Sequence, residues 1–331
     1  KGTVDILMSF ELLEAARWLD WLKAGGIVLV NRQKLIPLSV SLGDILYPEE
    51  EAILAALREH AGRVVVVDAL PLASWMDRNI VLSRSDDEAV LRPAVDGAAR
   101  HGTPVRWAEI DIEDGTLPTW QFAEIVDDRT SLLAVTLASS VTGAITDIGP
   151  IAGHARAAGA RLLVDASTAA PYVPLSMAEL GADVVMVSAE RWGGPRVAAM
   201  VFAEPGQVHT LTWVSMDPAA VGPARLEPDP VPPALLAGLV ASIDYLARLD
   251  PEATGTRRDK ITASMDATYE YVHRLLFYLV NSLSHLSNVS VVGAEAHRVP
   301  VVSFVVGGVT AENVCTRLSD NGIAALAKVP S

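Results

Sequence analysis

Residues 161–196, RLLVDASTAAPYVPLSMAELGADVVMVSAERWGGPR, constrain the fold more than any other stretch of the chain. The apolar run RLLVD stops on Asp165, and the second run, DVVMVS, stops on Ser188. Between them lie small residues, a turn-rich link from Pro171 to Pro174, and a helical MAELGA segment. Two buried strands joined through a loop and a helix read as parallel-sheet architecture, with Asp165 and Ser188 at the carboxyl ends of neighbouring strands. In open α/β sheets that edge is where ligands bind. The Gly193-Gly194-Pro195 turn that follows Arg191 lets the backbone approach another group closely.

The order strand, VDA, small residues, loop, proline, helix, LGAD, strand, then Ser-x-x-x-Gly-Pro resembles the fold-type I pyridoxal-phosphate enzymes, specifically the class V aminotransferase/cysteine desulfurase group. The resemblance implies an α/β fold: a three-layer, mainly parallel sheet of the fold-type I pyridoxal-phosphate transferase type with a smaller C-terminal α/β domain. It also implies pyridoxal phosphate as cofactor, with Asp165 paired to the protonated pyridine nitrogen so that the ring acts as an electron sink, and with Ser188 helping to hold the phosphate. The position of the Schiff-base lysine reads Arg191, and Glu190 stands where the family has a phosphate-side histidine. A Schiff base needs an amine that loses its proton, whereas guanidinium stays charged. Arg191 is therefore expected to pair with a phosphate or carboxylate rather than to do covalent chemistry. A covalently held cofactor would need a lysine elsewhere, such as Lys260 or Lys328.

The same resemblance extends over about residues 80–331. In IVLSRSDDEAVLRPAVDGAARHGTPVRWAEID the family's cofactor-stacking histidine corresponds to Asp87; read from the residues alone, Asp86, Asp87 and Glu88 are acids enriched at a helix N-terminus. In LLAVTLASSVTGAITDI the family's asparagine near the cofactor's phenolic oxygen corresponds to Ser140, with Gly143 retained. Serine still donates one hydrogen bond but reaches less far. Thr168 replaces a cofactor-contacting glutamine, and Arg225 matches the Arg-x-Glu segment that closes the large domain. The phosphate-binding Gly-Thr that follows in the family reads Asp229-Pro230. LLAGLVASIDYLARLD predicts a long helix, and VPVVSFVVGGVTAENVCTRLSDNGIAAL a strand and helix of the small domain, whose further arginine-bearing strand in the family would come after AKVPS.

Residues 1–78 read differently. FELLEAARWLDWL carries apolar residues at helical spacing, Lys23-Ala24-Gly25-Gly26 supplies a helix stop, and IVLVN reads as a buried strand. A second helix is expected over about Pro48–His60, with Glu49, Glu50 and Glu51 at its positive end, followed by the strand RVVVVDA. This segment resembles the gamma-type domain of 2-oxoacid:ferredoxin oxidoreductases, the indolepyruvate oxidoreductase beta subunit in particular. The resemblance implies a distinct N-terminal α/β segment with a partner surface. The expected organisation is residues 1–78 as this segment, 79–235 as an incomplete large domain and 236–331 as a truncated small domain.

With 331 residues, half of them hydrophobic, the chain has ample apolar material for a core, and no run is long enough for a bilayer span. A formal charge of −14 excludes a general nucleic-acid surface. The single cysteine, Cys315, excludes an intrachain disulfide and reads as a buried core thiol in a cytoplasmic protein. The histidines show no metal-ligand spacing, and His154 reads as a helix-surface residue. The family resemblance implies a homodimer and a small ligand: an amino acid, or a carboxylate or phosphate. Three functions follow as expectations. The first is a class V enzyme acting on amino acids. The second is a descendant of such enzymes that lacks lysine-dependent catalysis. The third is a non-catalytic binding or assembly module related to the oxidoreductase subunit, with a chimeric sequence as the alternative account of the switch near residues 76–82.

Overall fold

A computed structural model of the chain describes residues 2–9, 12–31, 48–67, 78–211, 215, 219–227, 231–293 and 297–327. Asp229, Pro230 and Lys328 lie outside the described residues. The chain divides into two compact units, one of residues 1–74, 92–97 and 206–230, the other of residues 75–91, 98–205 and 231–331.

In the first unit, β1 (Val4–Ser9), α1 (Leu12–Arg17), β2 (Leu22–Asn31), α2 (Glu50–His60) and β3 (Arg63–Val67) alternate. The three strands form a parallel sheet in the order β1-β2-β3, with Val28 opposite Val64 and Val30 opposite Val66. Ala15, Leu19, Val28, Val30, Ile53, Leu54 and Leu57 are buried in its core. The two strands expected at IVLVN and RVVVVDA are therefore present as β2 and β3, paired in parallel. The first helix is shorter than its spacing predicts. It ends at Arg17, a single 3₁₀ turn spans Leu19–Trp21, and Leu22 is already extended (ψ 136°). The glycines expected to stop the helix lie inside β2: Gly25 has φ +78°, and a Cβ on Gly62 would sit 2.4 Å from the Gly25 carbonyl oxygen. Gly62 thus lets its segment approach the Gly25 backbone closely, and the β1–β2 register slips near Gly25, from Val4↔Leu22 to Ile6↔Ile27.

The second unit is built on β4 (Asn79–Ser83), α3 (Glu88–His101, of which residues 92–97 fall in the first unit), β5 (Val105–Ala108), α4 (Phe122–Ile125), β6 (Thr130–Thr136), α5 (Ile148–Ala158), β7 (Arg161–Asp165), α6 (Met177–Leu180), β8 (Val184–Ser188) and β9 (Ala198–Phe202). These strands form a six-stranded sheet in the order β5-β4-β6-β7-β8-β9, parallel except for β9, which runs antiparallel to β8. This is the mainly parallel α/β sheet expected from the sequence. All five residues of β4 and four of the five in β7 are buried, as strands covered on both faces must be. Helix α5 shows how a covering element is specified. Asp147 caps it, Gly159 ends it in the left-handed region, and Ile148, Ile151, Ala152 and Ala155 form one buried stripe on β6 and β7. Beyond the sheet come α7 (Pro233–Leu246), the long α8 (Arg257–Ser284) with a Thr256–Asp259 capping box, an antiparallel hairpin of β10 (Val289–Val292) and β11 (Ser303–Val306), and α9 (Ala311–Asp320). Cys315 on α9 is half-buried rather than a core thiol, because α9 packs on the hairpin with no fully buried residue. His154 on α5 is likewise half-buried.

The chain leaves β4 for β5 on one side and returns to β6 on the other, so the strand order reverses between β4 and β6. In such sheets the crevice lies outside the carboxyl ends at the reversal. Here those ends are Ser83, Thr136, Asp165 and Ser188.

Candidate functional site

Asp165 ends β7 opposite Met186 of β8 and is buried. Its Oδ1 accepts a 2.9 Å hydrogen bond from the Ser167 amide. Its carbonyl accepts from the Leu137 amide at 2.8 Å and from Thr136 Oγ1 at 3.3 Å, which ties the ends of β6 and β7 together. Burial pushes its carboxyl above the ordinary carboxylate range, and the nearby Asp87 charge pushes the same way; the Ser167 hydrogen bonds and the Arg191 charge pull it back.

The turn after β4 brings two more acids to this edge. Asp86 is buried, with Oδ2 accepting from the Ser83 amide at 2.9 Å. Burial raises its carboxyl well above the usual range, the charges of Asp165 and Asp87 add to this, and the Ser83 and Thr136 amides oppose it. Asp87 caps α3, its Oδ1 accepting from the Ala89 amide at 3.0 Å. The helix-start expectation for these acids holds. Asp87 has a further role: its Oδ2 lies 3.7 Å from Arg191 Nη2.

Arg191 sits on a 3₁₀ turn, Ala189–Trp192, directly after Ser188 ends β8. Gly193 closes the turn at φ +79°, and the Trp192 indole N–H donates to Ser242 Oγ on α7 at 3.1 Å. A Cβ on Gly194 would sit 2.9 Å from both the Ala189 carbonyl oxygen and Ser242 Oγ. That is the close approach anticipated for the double-glycine turn. Glu190 points its charge to Arg196 at 3.4 Å, an exposed pair.

Ser140 lies in the turn after β6. Ser139 Oγ accepts from the Val141 and Thr142 amides there, and Gly143 takes φ +77°. The segment after residue 297 closes over this turn: the buried Arg298 donates to the Thr142 and Val301 carbonyls, at 2.7 and 2.5 Å, and the Val299 amide donates to the Gly143 carbonyl. Thr168 is half-buried, three residues beyond Asp165. Arg225 ends the 3₁₀ turn Gly222–Arg225 in the other unit, where its carbonyl accepts from the Ser215 amide.

The structure thus brings Asp165, Asp87 and Arg191 into one electrostatic cluster, with Ser188 at the end of β8 and Ser140 in the turn after β6. Asp86 belongs to that cluster, although only its helix-start context was legible in the sequence. Arg298 and Ser242 had no sequence signal, because each works through a contact distant along the chain. Of the lysines, Lys23 pairs with Asp5 in the first unit, and Lys260 stands in the first turn of α8. Among the described residues no group of three His, Cys, Asp or Glu side chains is arranged to hold a metal ion. No described helix is long and apolar enough to cross a membrane.

Chemically, this edge offers one guanidinium shared with a carboxylate, two acids, Asp86 and Asp165, whose carboxyls burial pushes above the ordinary range, and serine hydroxyls. Residues 59–327 match the model of the Aminotransferase class-V family. An uncharacterized protein of Mycobacterium tuberculosis, MT3887, is 44% identical over 275 residues, covering 82% of this chain and 69% of its own. A probable cysteine desulfurase of Streptomyces coelicolor is 26% identical over 75% of this chain and 59% of its own length. Among solved structures, the Escherichia coli cysteine desulfurase CsdA superposes with a TM-score of 0.65 at 21% identity, over 78% of this chain and 65% of that one. The chain therefore spans about three fifths of the length of these desulfurases.

Proposed function

This chain belongs to the aminotransferase class-V family, and from that premise we propose that it keeps the family's sheet-edge site for a small ligand without the family's lysine-dependent chemistry. Pyridoxal phosphate, when bound in this family, supplies an electron sink for reactions of amino acids. Asp165 fits such a ring, as a carboxyl at the end of β7 placed to meet a pyridinium. The other two positions do not fit. Position 191 carries a guanidinium, which has no amine proton to lose at working pH and so cannot condense with an aldehyde. Position 87 carries a carboxylate, which has no π-face to stack on a pyridine ring and is bound up in capping α3.

The observation that carries this reading is the 3.7 Å contact between Asp87 and Arg191: the two departures from the family pattern meet each other at the sheet edge. The ligand left to such a site is a small carboxylate or phosphate held at most weakly and without a covalent bond, near Ser188, Arg191 and Asp165, where it must compete with Asp87 for the guanidinium. Residues 1–78 carry their own three-stranded sheet and core, which supports treating them as a distinct α/β segment, although its last strand, β3, falls within the family match that starts at residue 59. The test is an assay of sulfide and alanine release from cysteine, with pyridoxal phosphate supplied. No turnover is expected, and sustained release by the wild-type chain would sink the proposal.

A further inference from the structure

We propose that Asp87 and Arg191 act as one unit, an internal ion pair that weakens phosphate binding at this edge and keeps a lysine placed at position 191 alone from attaching the cofactor. The inference rests on the reading above in taking position 191 as the one where the family's lysine stands. What it adds is that position 87 decides what position 191 can do.

Both partners are held from behind. Asp87 spends Oδ1 on the Ala89 amide as the cap of α3, which leaves Oδ2 toward the guanidinium. Arg191 rides on a turn whose far side is fixed by Gly193 in the left-handed region, by Trp192 against Ser242, and by Gly194, which has no room for a side chain. Neither carrier element needs to move for the pair to persist. The pair is not sealed from solvent, since the side chains are 34% and 45% exposed, so an anion could reach the guanidinium if the carboxylate were absent. With the carboxylate present, an incoming phosphate meets a cation already shared, beside the acids Asp165 and Asp86. Arg196, which follows that turn, faces Glu190.

The same contact explains why a lysine alone would not reopen the site. Condensation with an aldehyde requires the neutral amine. Nitrogen attacks the carbonyl carbon, a carbon–nitrogen bond forms, and the carbonyl oxygen leaves as water. A carboxylate within about 4 Å favours the protonated amine, so Asp87 would hold a lysine at 191 in its unreactive form. Asparagine at 87 removes the charge yet keeps a good helix cap.

The experiment compares wild type, Asp87→Asn, Arg191→Lys and the double variant, each checked for folding by circular dichroism. Glu113→Gln, an exposed position, serves as the control for net charge. Inorganic phosphate binding is measured by calorimetry. Asp87→Asn is expected to bind about tenfold more tightly than wild type, and Glu113→Gln to match wild type. Separately, each protein is incubated with pyridoxal phosphate, reduced with borohydride and mapped by mass spectrometry. Label at position 191 is expected in the double variant and not in Arg191→Lys. Equal label in Arg191→Lys and the double variant would overturn the coupling while leaving the proposed loss of lysine chemistry intact. Absence of label in a folded double variant, or unchanged phosphate affinity in Asp87→Asn, also overturns it. Should the double variant not fold, the phosphate comparison alone decides. Label on a lysine of the wild type would instead overturn the earlier reading, and the phosphate comparison would still decide the coupling.

Discussion

At Asp86, burial and hydrogen bonding pull in opposite directions. The carboxyl lies among strand ends with little water, so its charged form is disfavoured, and the amides of Ser83 and Thr136 recover only part of that loss. A folded-state pKa above the unfolded one means that the group supports the fold most at low pH. That support fades as pH rises through the folded-state value. Asp127 is the reverse case: hydrogen bonds from Asn79 and Arg106 hold its carboxyl far below the usual range, so its support is present at neutral pH and fades on acidification. Asp86→Asn keeps an oxygen for the Ser83 amide and removes the ionisation. In urea unfolding, the stability of the variant relative to wild type is expected to rise as pH is raised above the ordinary carboxylate range of about 4. A difference that stays flat as pH rises would show that Asp86 is not the buried acid described here. Asp165 and Ser188 were legible in the sequence because each ends an apolar run. The meeting of Asp87 with Arg191 was not, because no local pattern records which loops share a sheet edge.

The turn from Ser139 to Ala144 shows how an element of the site depends on chain far away. Gly143 takes φ +77°, and a Cβ there would lie 2.8 Å from the carbonyl oxygens of both Val299 and Val301. Its retention in the sequence was legible as a turn glycine; the second reason for it, the packed return of the segment after residue 297, was not. Gly143→Ala must therefore accept a left-handed backbone and push two carbonyls aside, at a cost of about 1–3 kcal/mol. The expected result is a lower midpoint of urea unfolding and faster amide exchange at Val299, whose amide bonds the Gly143 carbonyl. Unchanged exchange at Val299 would mean that the two segments do not constrain each other. Element boundaries failed in the sequence where glycine has two uses. Gly25 and Gly26 look like a helix stop, yet they belong to β2, where Gly25 takes φ +78° and a Cβ on Gly26 would sit 2.9 Å from the Asp5 carbonyl oxygen, and the helix had already ended at Arg17.

For the whole chain, the alternation of apolar runs with amphipathic segments identified an α/β protein, because buried parallel strands and covering helices leave different periodicities. The partition of strands between a three-stranded and a six-stranded sheet came from the two family resemblances rather than from those periodicities, since VVVV at 64–67 and LLV at 162–164 look alike until partners are known. Charge acts at the same scale. With a formal charge of −14, long-range repulsion opposes the compact state, while exposed pairs such as Lys23–Asp5, Arg84–Glu109 and Arg196–Glu190 each contribute little. Salt weakens both. The Debye length falls from about 30 Å at roughly 0.01 M to about 8 Å at roughly 0.15 M, so repulsion between distant carboxylates is removed first, and partners in direct contact keep more of their attraction. Raising sodium chloride over that range is therefore expected to raise the melting temperature, by about 2–4 °C for each kcal/mol of repulsion relieved. Potassium fluoride should act alike if screening is the cause. A melting temperature that falls with either salt would show that the surface ion pairs outweigh the net charge.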